Sequence, residues 1–232
     1  VFVSIFVNPT QFNDESDLTN YPRPLDRDIH LLESQDVDLL FLPTGEEVYP
    51  PGMDLSLDID FGSLTTVLEG EHRPGHFDGV TTVVARLFAM VQPDVAVFGQ
   101  KDYQQQLVLR HMAKDMSLPI SIITGNTVRD DDGLALSSRN SYLSEEERVQ
   151  APLLYETLTS VSGELQNGRR DFEELEAAAL ARLSDSGFDV DYFSSRRAQN
   201  LEVPDRDCDD LVVLVAAKLG GTRLIDNIVV TI

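Results

Sequence analysis

Cysteine is almost absent from this sequence. Cys208 is the only one in 232 residues, so the chain cannot close an internal disulfide and offers no cluster of thiolate metal ligands. Its neighbours Asp207, Asp209 and Asp210 disfavour a thiolate, which argues against a nucleophilic cysteine. No group of His, Asp and Glu residues has the spacing of a zinc site or an EF-hand. We therefore expect no metal site built by the protein alone.

Positive charge is scarce as well. The chain has 18 basic residues against 40 acidic ones, a formal net charge of −22, and its only lysines are Lys101, Lys114 and Lys218. A general nucleic-acid binder needs clustered Lys and Arg, so that class is excluded. Anionic substrates are also disfavoured unless the few basic residues are gathered at one site. The excess of Asp over Glu and of Arg over Lys fits adaptation to high salt and a GC-rich genome equally well.

Long apolar runs are missing too. No segment approaches the ~18 apolar residues of a membrane-spanning helix, and none resembles a signal peptide. Hydrophobic residues nevertheless make up 42% of the chain, which is enough for a folded core. We expect a soluble, cytoplasmic protein with no membrane partner, built as one large or two small domains.

The first half of the chain alternates short apolar runs with helical patterns. The runs at 1–7, 37–42, 94–98 and 119–124 predict strands, the first of them buried and parallel. Apolar residues at helical spacing predict helices near 25–35 and over 77–91 and 103–116. This alternation is typical of βαβ units, so we expect an α/β fold with a doubly wound parallel sheet.

Beyond residue 127 the pattern changes. Ser144 and Asp171 each stand at the start of a helical pattern and predict capping boxes with Glu147 and Glu174. Apolar runs at 211–217 and 223–230 predict two strands near the end. Helices grouped with strands, without strict alternation, indicate a smaller α+β domain. We therefore predict two domains, residues 1–127 and 128–232.

Two of the predicted strands end in dense polar segments. The first strand leads into Asn8-Pro9-Thr10-Gln11-Phe12, and the third leads into Phe98-Gly99-Gln100-Lys101-Asp102. Ligands of open α/β sheets bind at such strand ends, beside helix N-termini. Lys101 stands in a first helical turn, where its charge is unfavourable to the helix dipole, and so indicates a bound phosphate. Taken alone, each segment is a weak signal, since most such polar clusters are ordinary surface turns.

Two further polar clusters have the same ambiguity. Arg73 and His76 flank a Pro-Gly turn before the long helix, where they either reach a crevice or merely begin the helix. The segment Ser137-Ser138-Arg139 follows a Gly turn. Two hydroxyls and an arginine suit a mobile phosphate clamp, although a capped loop would have the same sequence.

Taken together and in order, these segments resemble the bacterial pantothenate synthetase family over nearly the whole chain. The resemblance implies a Rossmann-like fold of the nucleotidyltransferase superfamily with a smaller C-terminal α+β lid domain, in a homodimer. The residues that carry it are FVNPTQF (6–12), YPR (21–23), LEGEHRPGHFDGVTTVV (68–84), FGQKDYQQ (98–105), DGLALSSRN (132–140) and TRLIDN (222–227).

The resemblance implies a ligase of pantothenate biosynthesis, on the route to coenzyme A. ATP and pantoate would form pantoyl-adenylate and pyrophosphate, and β-alanine would then displace AMP to give pantothenate, with Mg²⁺ carried on the nucleotide. Attack of a carboxylate on the α-phosphate requires aligned anions and neutralised charge rather than covalent help from the protein. We therefore expect positioning to dominate and assign no general base.

The resemblance also implies a role for individual residues. Pantoate would be bound by Asn8, Gln11 and Gln105. ATP would contact Gly99, Lys101 and Asp102, with Asp102 near the ribose or Mg²⁺, and Val128 would border the adenine. Ser137, Ser138 and Arg139 would form a mobile KMSKS-type loop that acts with Lys101 in catalysis. Tyr21, Arg73 and His76 would support the site, and the last two would also support the dimer.

One motif of the family is missing from this sequence. The family carries an HxGH-type ATP motif upstream of the FVNPTQF segment, and His72 and His76 belong to a different motif. We therefore expect a longer natural protein, an N-terminally incomplete first domain and slow turnover until that motif is restored. Two alternatives stay open: another adenylyl- or nucleotidyltransferase of the superfamily, and a non-catalytic binding protein that keeps the fold.

Overall fold

The computed structural model describes residues 1–12, 15–52, 57 and 59–232. Its first part contains β1 (Phe2–Ser4), α1 (Glu15–Asn20), α2 (Leu25–Ser34), β2 (Leu39–Phe41), α3 (Gly45–Val48), α4 (Glu69–His72), α5 (His76–Val91), β3 (Val95–Gly99), α6 (Tyr103–Asp115) and β4 (Ser121–Gly125). Its second part contains α7 (Glu145–Gln150), α8 (Leu153–Gln166), α9 (Phe172–Asp185), β5 (Phe188–Arg197), β6 (Asp210–Leu219) and β7 (Thr222–Thr231).

Parallel strands and helices form the first part, which confirms the predicted α/β class. β1 pairs with β2 from Phe2 opposite Leu39, and β3 pairs with β4 from Val95 opposite Ser121. The described strands thus make two parallel pairs rather than one continuous sheet. All four predicted strands and all three predicted helices of this part are present, with ends shifted by a few residues.

The first strand differs from its prediction. β1 spans three residues instead of seven, and Phe2 is 44% exposed although the strand was predicted to be buried. The apolar run encodes an extended segment, but burial depends on what packs against it. Among the described residues β2 is the one strand hydrogen-bonded to β1, so a continuous apolar sequence does not produce a buried strand here.

α5 is the central helix of the first part. Its apolar residues recur at helical spacing, and Phe77, Val80, Val84 and Phe88 are buried as that spacing predicts. The helix begins after Gly75, whose positive φ of 78° suits glycine, and its N-terminal end faces the turn that follows β1. α5 therefore brings its first residues to the carboxyl end of β1.

The second part is an antiparallel sheet with two helices against it. β6 lies between β5 and β7, and its residues Leu211 to Ala217 are all buried. α8 and α9 contribute Leu158, Leu165 and Leu183 to the same apolar core. The strands predicted at 211–217 and 223–230 are confirmed. β5 was not predicted, because its residues FDVDYFSSRR contain too many polar side chains to stand out as an apolar run.

The two predicted capping boxes have different outcomes. Ser144 caps α7 as predicted, since its side chain accepts from the Glu147 N–H while the Glu147 side chain accepts from the Ser144 N–H. The prediction for Asp171 is wrong. Its carboxylate makes no cap bond and instead pairs with Arg169, with Oδ2 2.7 Å from Nη2. A nearby guanidinium outcompetes the backbone N–H groups for this carboxylate.

The two parts share an apolar cluster. Leu64, Leu68, Phe77 and Val108 from the first part pack with Leu201, Val212 and Leu214 from the second. The domain boundary near residue 127 stays a prediction. Across the described ranges, no helix combines the length and apolar character required to cross a membrane.

Candidate functional site

The turn after β1 is built around Asn8. This side chain is only 2% exposed, and its Nδ2 donates to Gln11 Oε1 and to the Gly79 carbonyl, both at 3.1 Å. Its Oδ1 accepts from the Tyr49 hydroxyl at 2.6 Å and from the Thr10 hydroxyl at 3.0 Å. Both polar atoms of Asn8 are therefore engaged within the protein. Asn8 orients Gln11, and of the two predicted pantoate ligands in this turn Gln11 is the more accessible.

Gly79 lets this turn lie directly on α5. A Cβ at position 79 would stand 2.5 Å from the Thr10 carbonyl oxygen and 2.9 Å from the Gln11 nitrogen, both backbone atoms. Real Cβ contacts are essentially never so short, and a backbone segment cannot move aside as a flexible side chain can. Glycine at this position is thus required for close approach of the Asn8–Gln11 turn.

The carbonyl of Gln11 is held by Arg73, in the turn before α5, and by His76, the first residue of α5. Arg73 Nη2 donates to it at 3.2 Å, and His76 Nδ1 lies 2.9 Å from it. Burial, followed by the charge of Arg73, lowers the pKa of His76 from 6.5 to about 4. The imidazole is therefore neutral near pH 7, and since a carbonyl oxygen only accepts, Nδ1 carries the proton.

A buried acid–base network anchors Arg73 in turn. Glu69 lies 3.5 Å from Arg73 and accepts two hydrogen bonds from Arg223, at 2.8 and 2.9 Å, as well as one from the Tyr192 hydroxyl. Burial would raise the pKa of Glu69, but the hydrogen bonds and charge of Arg223, with Tyr192 and Arg73, outweigh it and lower the pKa to about 2. Glu69 is thus ionised, and it connects α4 to β5 and β7.

The segment after β3 carries the second set of predicted residues. Lys101 and Asp102 lie in the single 3₁₀ turn Gln100–Asp102, which leads directly into α6. Gly99 has an ordinary φ of −67°, and a Cβ there would meet nothing within 4 Å. Neither backbone conformation nor packing requires glycine at this position. The open space beside Gly99 leaves room for a ligand to approach the backbone.

The predicted clamp loop lies against the turn at residues 20–21. Ser138 Oγ is 3.2 Å from the Tyr21 hydroxyl, and the Arg139 guanidinium stands over the Tyr21 ring, 5.6 Å from its centroid. Ser137 caps the following 3₁₀ turn by accepting from the Arg139 N–H at 3.3 Å. The charge of Arg139 is among the causes that lower the pKa of His76, after burial and the charge of Arg73. The loop therefore adds positive charge to the Gln11 surroundings.

The base of this loop is fixed by a buried ion pair. Arg129 Nη1 and Nη2 donate to the two carboxylate oxygens of Asp226 at 2.5 and 2.9 Å, and the guanidinium stacks 3.7 Å over the Tyr155 ring. Asp226 has a side-chain exposure of only 3%. Beside Arg129, Val128 is 65% exposed, so its predicted place next to an adenine is open to solvent.

A crevice, here called the Lys101 crevice, brings five of the predicted residues together. The predicted ones are Arg73, His76, Lys101, Asp102 and Gln105, and β7 contributes Asp226 and Asn227. Asn8 and Gln11 are joined to this crevice through the Gln11 carbonyl. Tyr21, Ser137, Ser138 and Arg139 form a neighbouring group, and Val128 stands apart. The roles assigned to these residues stay predictions.

The residues of this region that were not predicted as functional include Glu69, Tyr192, Arg223 and Asn227. Three of them lie inside segments that carried the family resemblance, Glu69 in LEGEHRPGHF and the other two in TRLIDN. Their place in these segments was the sequence signal that could have identified them. Tyr192 had none, because its significance arises from contact with Glu69, 123 residues away.

Metal-binding potential is limited in the described part of the chain. Within residues 1–12, 15–52, 57 and 59–232, no three His, Cys, Asp or Glu side chains are grouped to hold an ion. Asp102 supplies an exposed carboxylate in the crevice, the type of oxygen ligand that Mg²⁺ prefers. The residues present thus fit a Mg²⁺ ion that receives most of its ligands from groups other than the protein.

Comparison with known proteins gives a consistent result. The family model described as pantoate-beta-alanine ligase matches residues 1–229. The pantothenate synthetase of Thioalkalivibrio sulfidiphilus is 49% identical over 228 residues, which cover 98% of this chain and 80% of the relative. That of a Pseudomonas putida strain is 51% identical over 230 residues, covering 99% and 80%.

Solved structures agree with the sequence comparison. The crystal structure of pantothenate synthetase from Thermus thermophilus superposes with a TM-score of 0.92 at 44% identity, covering 98% of this chain and 82% of the other. The pantoate-beta-alanine ligase from Francisella tularensis, crystallised with beta-gamma ATP and beta-alanine, has a TM-score of 0.78 at 35% identity. It is matched over 98% of this chain and 78% of its own length.

Proposed function

Because the chain belongs to the pantoate–beta-alanine ligase family, we propose that it catalyses the ATP-dependent condensation of pantoate with β-alanine. The family model covers residues 1–229, and relatives at about half identity are pantothenate synthetases. The product is pantothenate, with AMP and pyrophosphate released. The observation that carries the proposal is the Lys101 crevice, where a lysine and an arginine meet polar side chains at the carboxyl end of β3.

ATP is the nucleotide substrate, and we propose that Lys101 and Arg139 bind its phosphates from two sides. Lys101 lies in the 3₁₀ turn that follows β3, and Arg139 lies on the loop against Tyr21. Two cations on opposite sides neutralise the charge that develops as pyrophosphate leaves. Gly99 would allow the nucleotide to approach the backbone, Val128 would border the adenine, and Ser137 and Ser138 would complete the clamp. The Francisella relative's complex with beta-gamma ATP supports nucleotide binding in this fold.

Pantoate, in this proposal, lies between Gln11 and Gln105. Amide groups can hydrogen-bond both its hydroxyls and its carboxylate without adding titratable groups. Asn8 acts through Gln11, because its own side-chain amide is engaged with Gln11, Gly79 and Tyr49. Arg73 and His76 hold the Gln11 carbonyl, so they support the site without touching pantoate.

The chemistry depends on alignment. The pantoate carboxylate attacks the α-phosphorus of ATP and pyrophosphate departs, which leaves pantoyl-adenylate. The amine of β-alanine then attacks the acyl carbon and AMP leaves. Holding two anions in line in a crevice with fixed cations lowers the barrier through positioning and electrostatics. Mg²⁺ would enter with the nucleotide and supply further charge neutralisation, with Asp102 the crevice carboxylate suited to bind it.

The surrounding organisation is also proposed. We propose that residues 128–232 form a lid domain over residues 1–127, that two copies associate as a homodimer, and that the enzyme works in the cytoplasm. The ion pair between Arg129 and Asp226 supports a lid whose loop and sheet move together. The net charge of −22 is compatible with anionic substrates, because five of the 18 basic residues stand in the segments assigned to the site: Arg23, Arg73, Lys101, Arg129 and Arg139.

The test is formation of AMP that depends on both pantoate and β-alanine. Purified protein is incubated with ATP, Mg²⁺ and each substrate singly or together, and AMP, pyrophosphate and pantothenate are quantified. Release of all three only in the complete mixture is expected. An adenylyl group retained in the product would indicate another transferase of the superfamily, and ATP binding without turnover would indicate a non-catalytic binding protein.

A matched pair of lysine variants tests the proposed site. Lys101→Met should lower kcat/KM for ATP by roughly 100-fold or more, because a phosphate-binding charge is lost. Lys114→Met removes an exposed lysine from α6 and should leave kcat/KM unchanged. Equal kcat/KM for ATP in the two variants would contradict the assignment of Lys101 to the phosphate-binding site.

A further inference from the structure

Asn227 joins β7 to the segment that carries Lys101. Its Nδ2 donates one hydrogen bond to the Gln100 carbonyl at 3.0 Å and a second to the Lys101 carbonyl at 2.9 Å. The two acceptors are 127 and 126 residues away in sequence. Both hydrogens of the Asn227 amide nitrogen are therefore used on two consecutive peptide groups.

The amide oxygen of Asn227 also faces the segment that carries Lys101. Gln100 Nε2 lies 3.5 Å from Asn227 Oδ1, and the residue as a whole is only 2% exposed. A buried amide is costly unless its hydrogen bonds are made, so this orientation is strongly preferred over its alternatives. Substitution by an apolar side chain would leave both carbonyl groups without their donor.

Local restraints on the Lys101 segment are weak. Gly99, which precedes the 3₁₀ turn, has no side chain, and Asp102, which precedes α6, makes no side-chain cap bond. Three residues of 3₁₀ helix have little stability of their own. The contact from β7 thus supplies hydrogen bonds that the turn does not make for itself.

The neighbouring residue on β7 extends the same connection. Asp226 accepts the Asn227 backbone N–H at 2.8 Å and pairs with Arg129, at the base of the segment that leads to Arg139. Two consecutive residues of β7 therefore contact the two segments that carry Lys101 and Arg139. β7 therefore holds the segments of Lys101 and Arg139 in a defined position relative to each other.

We infer that Asn227 is a positioning residue that sets Lys101 for binding the phosphates of ATP. The inference rests on the proposed function, because it assigns Lys101 to the nucleotide. Asn227 does not touch the reacting atoms. It acts through two carbonyl groups of the Lys101 segment, so its loss should affect ATP far more than pantoate.

The experiment compares Asn227→Leu with the unsubstituted protein. Leucine is similar in size and lacks the two donors. KM for ATP should rise about tenfold or more, with KM for pantoate within about twofold, because a small misplacement of one charge weakens one substrate selectively. Isothermal titration should show the same weakening of ATP binding without turnover. Asn227→Ser leaves space for a water molecule and should give a smaller increase in KM for ATP. If the leucine variant does not fold, the serine variant serves as the test.

Val230→Ala is the matched structural control. Val230 lies on the same strand, is fully buried and belongs to the core of the second part. It should lower the unfolding temperature while leaving both KM values unchanged. An equal rise in KM for ATP in Val230→Ala, or an unchanged KM for ATP in folded Asn227→Leu, would overturn this inference and leave the proposed function standing. If the unsubstituted protein neither binds ATP nor forms AMP, the proposed function and the inference fall together.

Discussion

The Tyr192 hydroxyl donates a hydrogen bond to Oε1 of Glu69 at 2.8 Å and so joins β5 to α4. Glu69 also accepts from Arg223 on β7 and lies beside Arg73, which holds the Gln11 carbonyl. A continuous chain of polar contacts therefore runs from the antiparallel sheet to the turn after β1. This arrangement makes the stability of the region, and the position of Gln11, depend on an ionised carboxylate.

The first prediction concerns the pH dependence that Glu69 contributes. Its pKa is lowered from 4.5 to about 2 in the folded protein, so its stabilisation is complete above pH 4.5 and is lost as the pH falls toward 2. Glu69→Gln should reduce the free energy of unfolding by about 3 kcal/mol at pH 7, and the difference should shrink below pH 4.5. Urea unfolding from pH 3 to pH 7 measures it.

Glu71→Gln is the control for that experiment. Glu71 lies on the same short helix but is exposed, so its replacement should change the free energy of unfolding by less than about 0.5 kcal/mol at any pH. A constant difference between Glu69→Gln and the unsubstituted protein across the pH range would contradict the assignment.

His76 also makes stability fall as the pH falls, but it does so in a higher pH range. Its pKa is lowered from 6.5 to about 4, mainly by burial and then by the charge of Arg73, so the unfolded chain takes up a proton first as the pH falls. Stability should therefore decline between pH 6.5 and pH 4, by up to about 3 kcal/mol from this residue. His76→Asn retains a donor for the Gln11 carbonyl and does not titrate.

Thermal unfolding from pH 4 to pH 8 compares the two proteins. The curve for His76→Asn should be flatter than that of the unsubstituted protein between pH 4 and pH 6.5. His30→Asn replaces an exposed histidine of α2 and should leave the curve unchanged. If His76→Asn and the unsubstituted protein lose stability in parallel, His76 is not the titrating group.

Gly79→Ala should disturb the turn that holds Asn8 and Gln11. The added Cβ would meet the Thr10 and Gln11 backbone, so the turn must move away from α5. We expect a loss of about 1–3 kcal/mol of stability and a clear rise in KM for pantoate. Gly163→Ala in α8 is the matched control, since a Cβ there meets nothing within 4 Å. It should stabilise the protein by roughly 0.5–1 kcal/mol, because alanine favours helix. Equal effects of the two alanines would refute the close approach.

The Arg129–Asp226 pair should be far more important for stability than an exposed pair of equal length. Asp226→Asn removes the negative partner of a buried guanidinium and should cost about 3–5 kcal/mol. Asp205→Asn makes the same substitution in the pair with Arg197, whose Nη2–Oδ2 distance is also 2.5 Å but whose aspartate is 63% exposed. It should cost less than about 1 kcal/mol. Chemical denaturation of the two variants in parallel decides between burial and distance as the cause.

Much of the fold and part of the site could be predicted from the sequence. Helix α5, the strand β3 and the capping box at Ser144 follow from residue spacing within a few turns of chain. The predicted burial of β1, the predicted cap at Asp171 and the unpredicted strand β5 show the limit. In each case a partner elsewhere, or the lack of one among the described residues, decided the outcome.

By itself the sequence determined the local elements, the ordered motifs and therefore the family, because these depend on residues close together in the chain. Only the tertiary structure decided which residues meet. Asn227 reaches Lys101 across 126 residues, and Arg223 reaches Glu69 across 154. Such contacts arise from the packing of β7 against the first part of the chain, and no local pattern encodes them. For that reason the predicted site residues were named from motifs, whereas the residues that hold them in place became visible only in three dimensions.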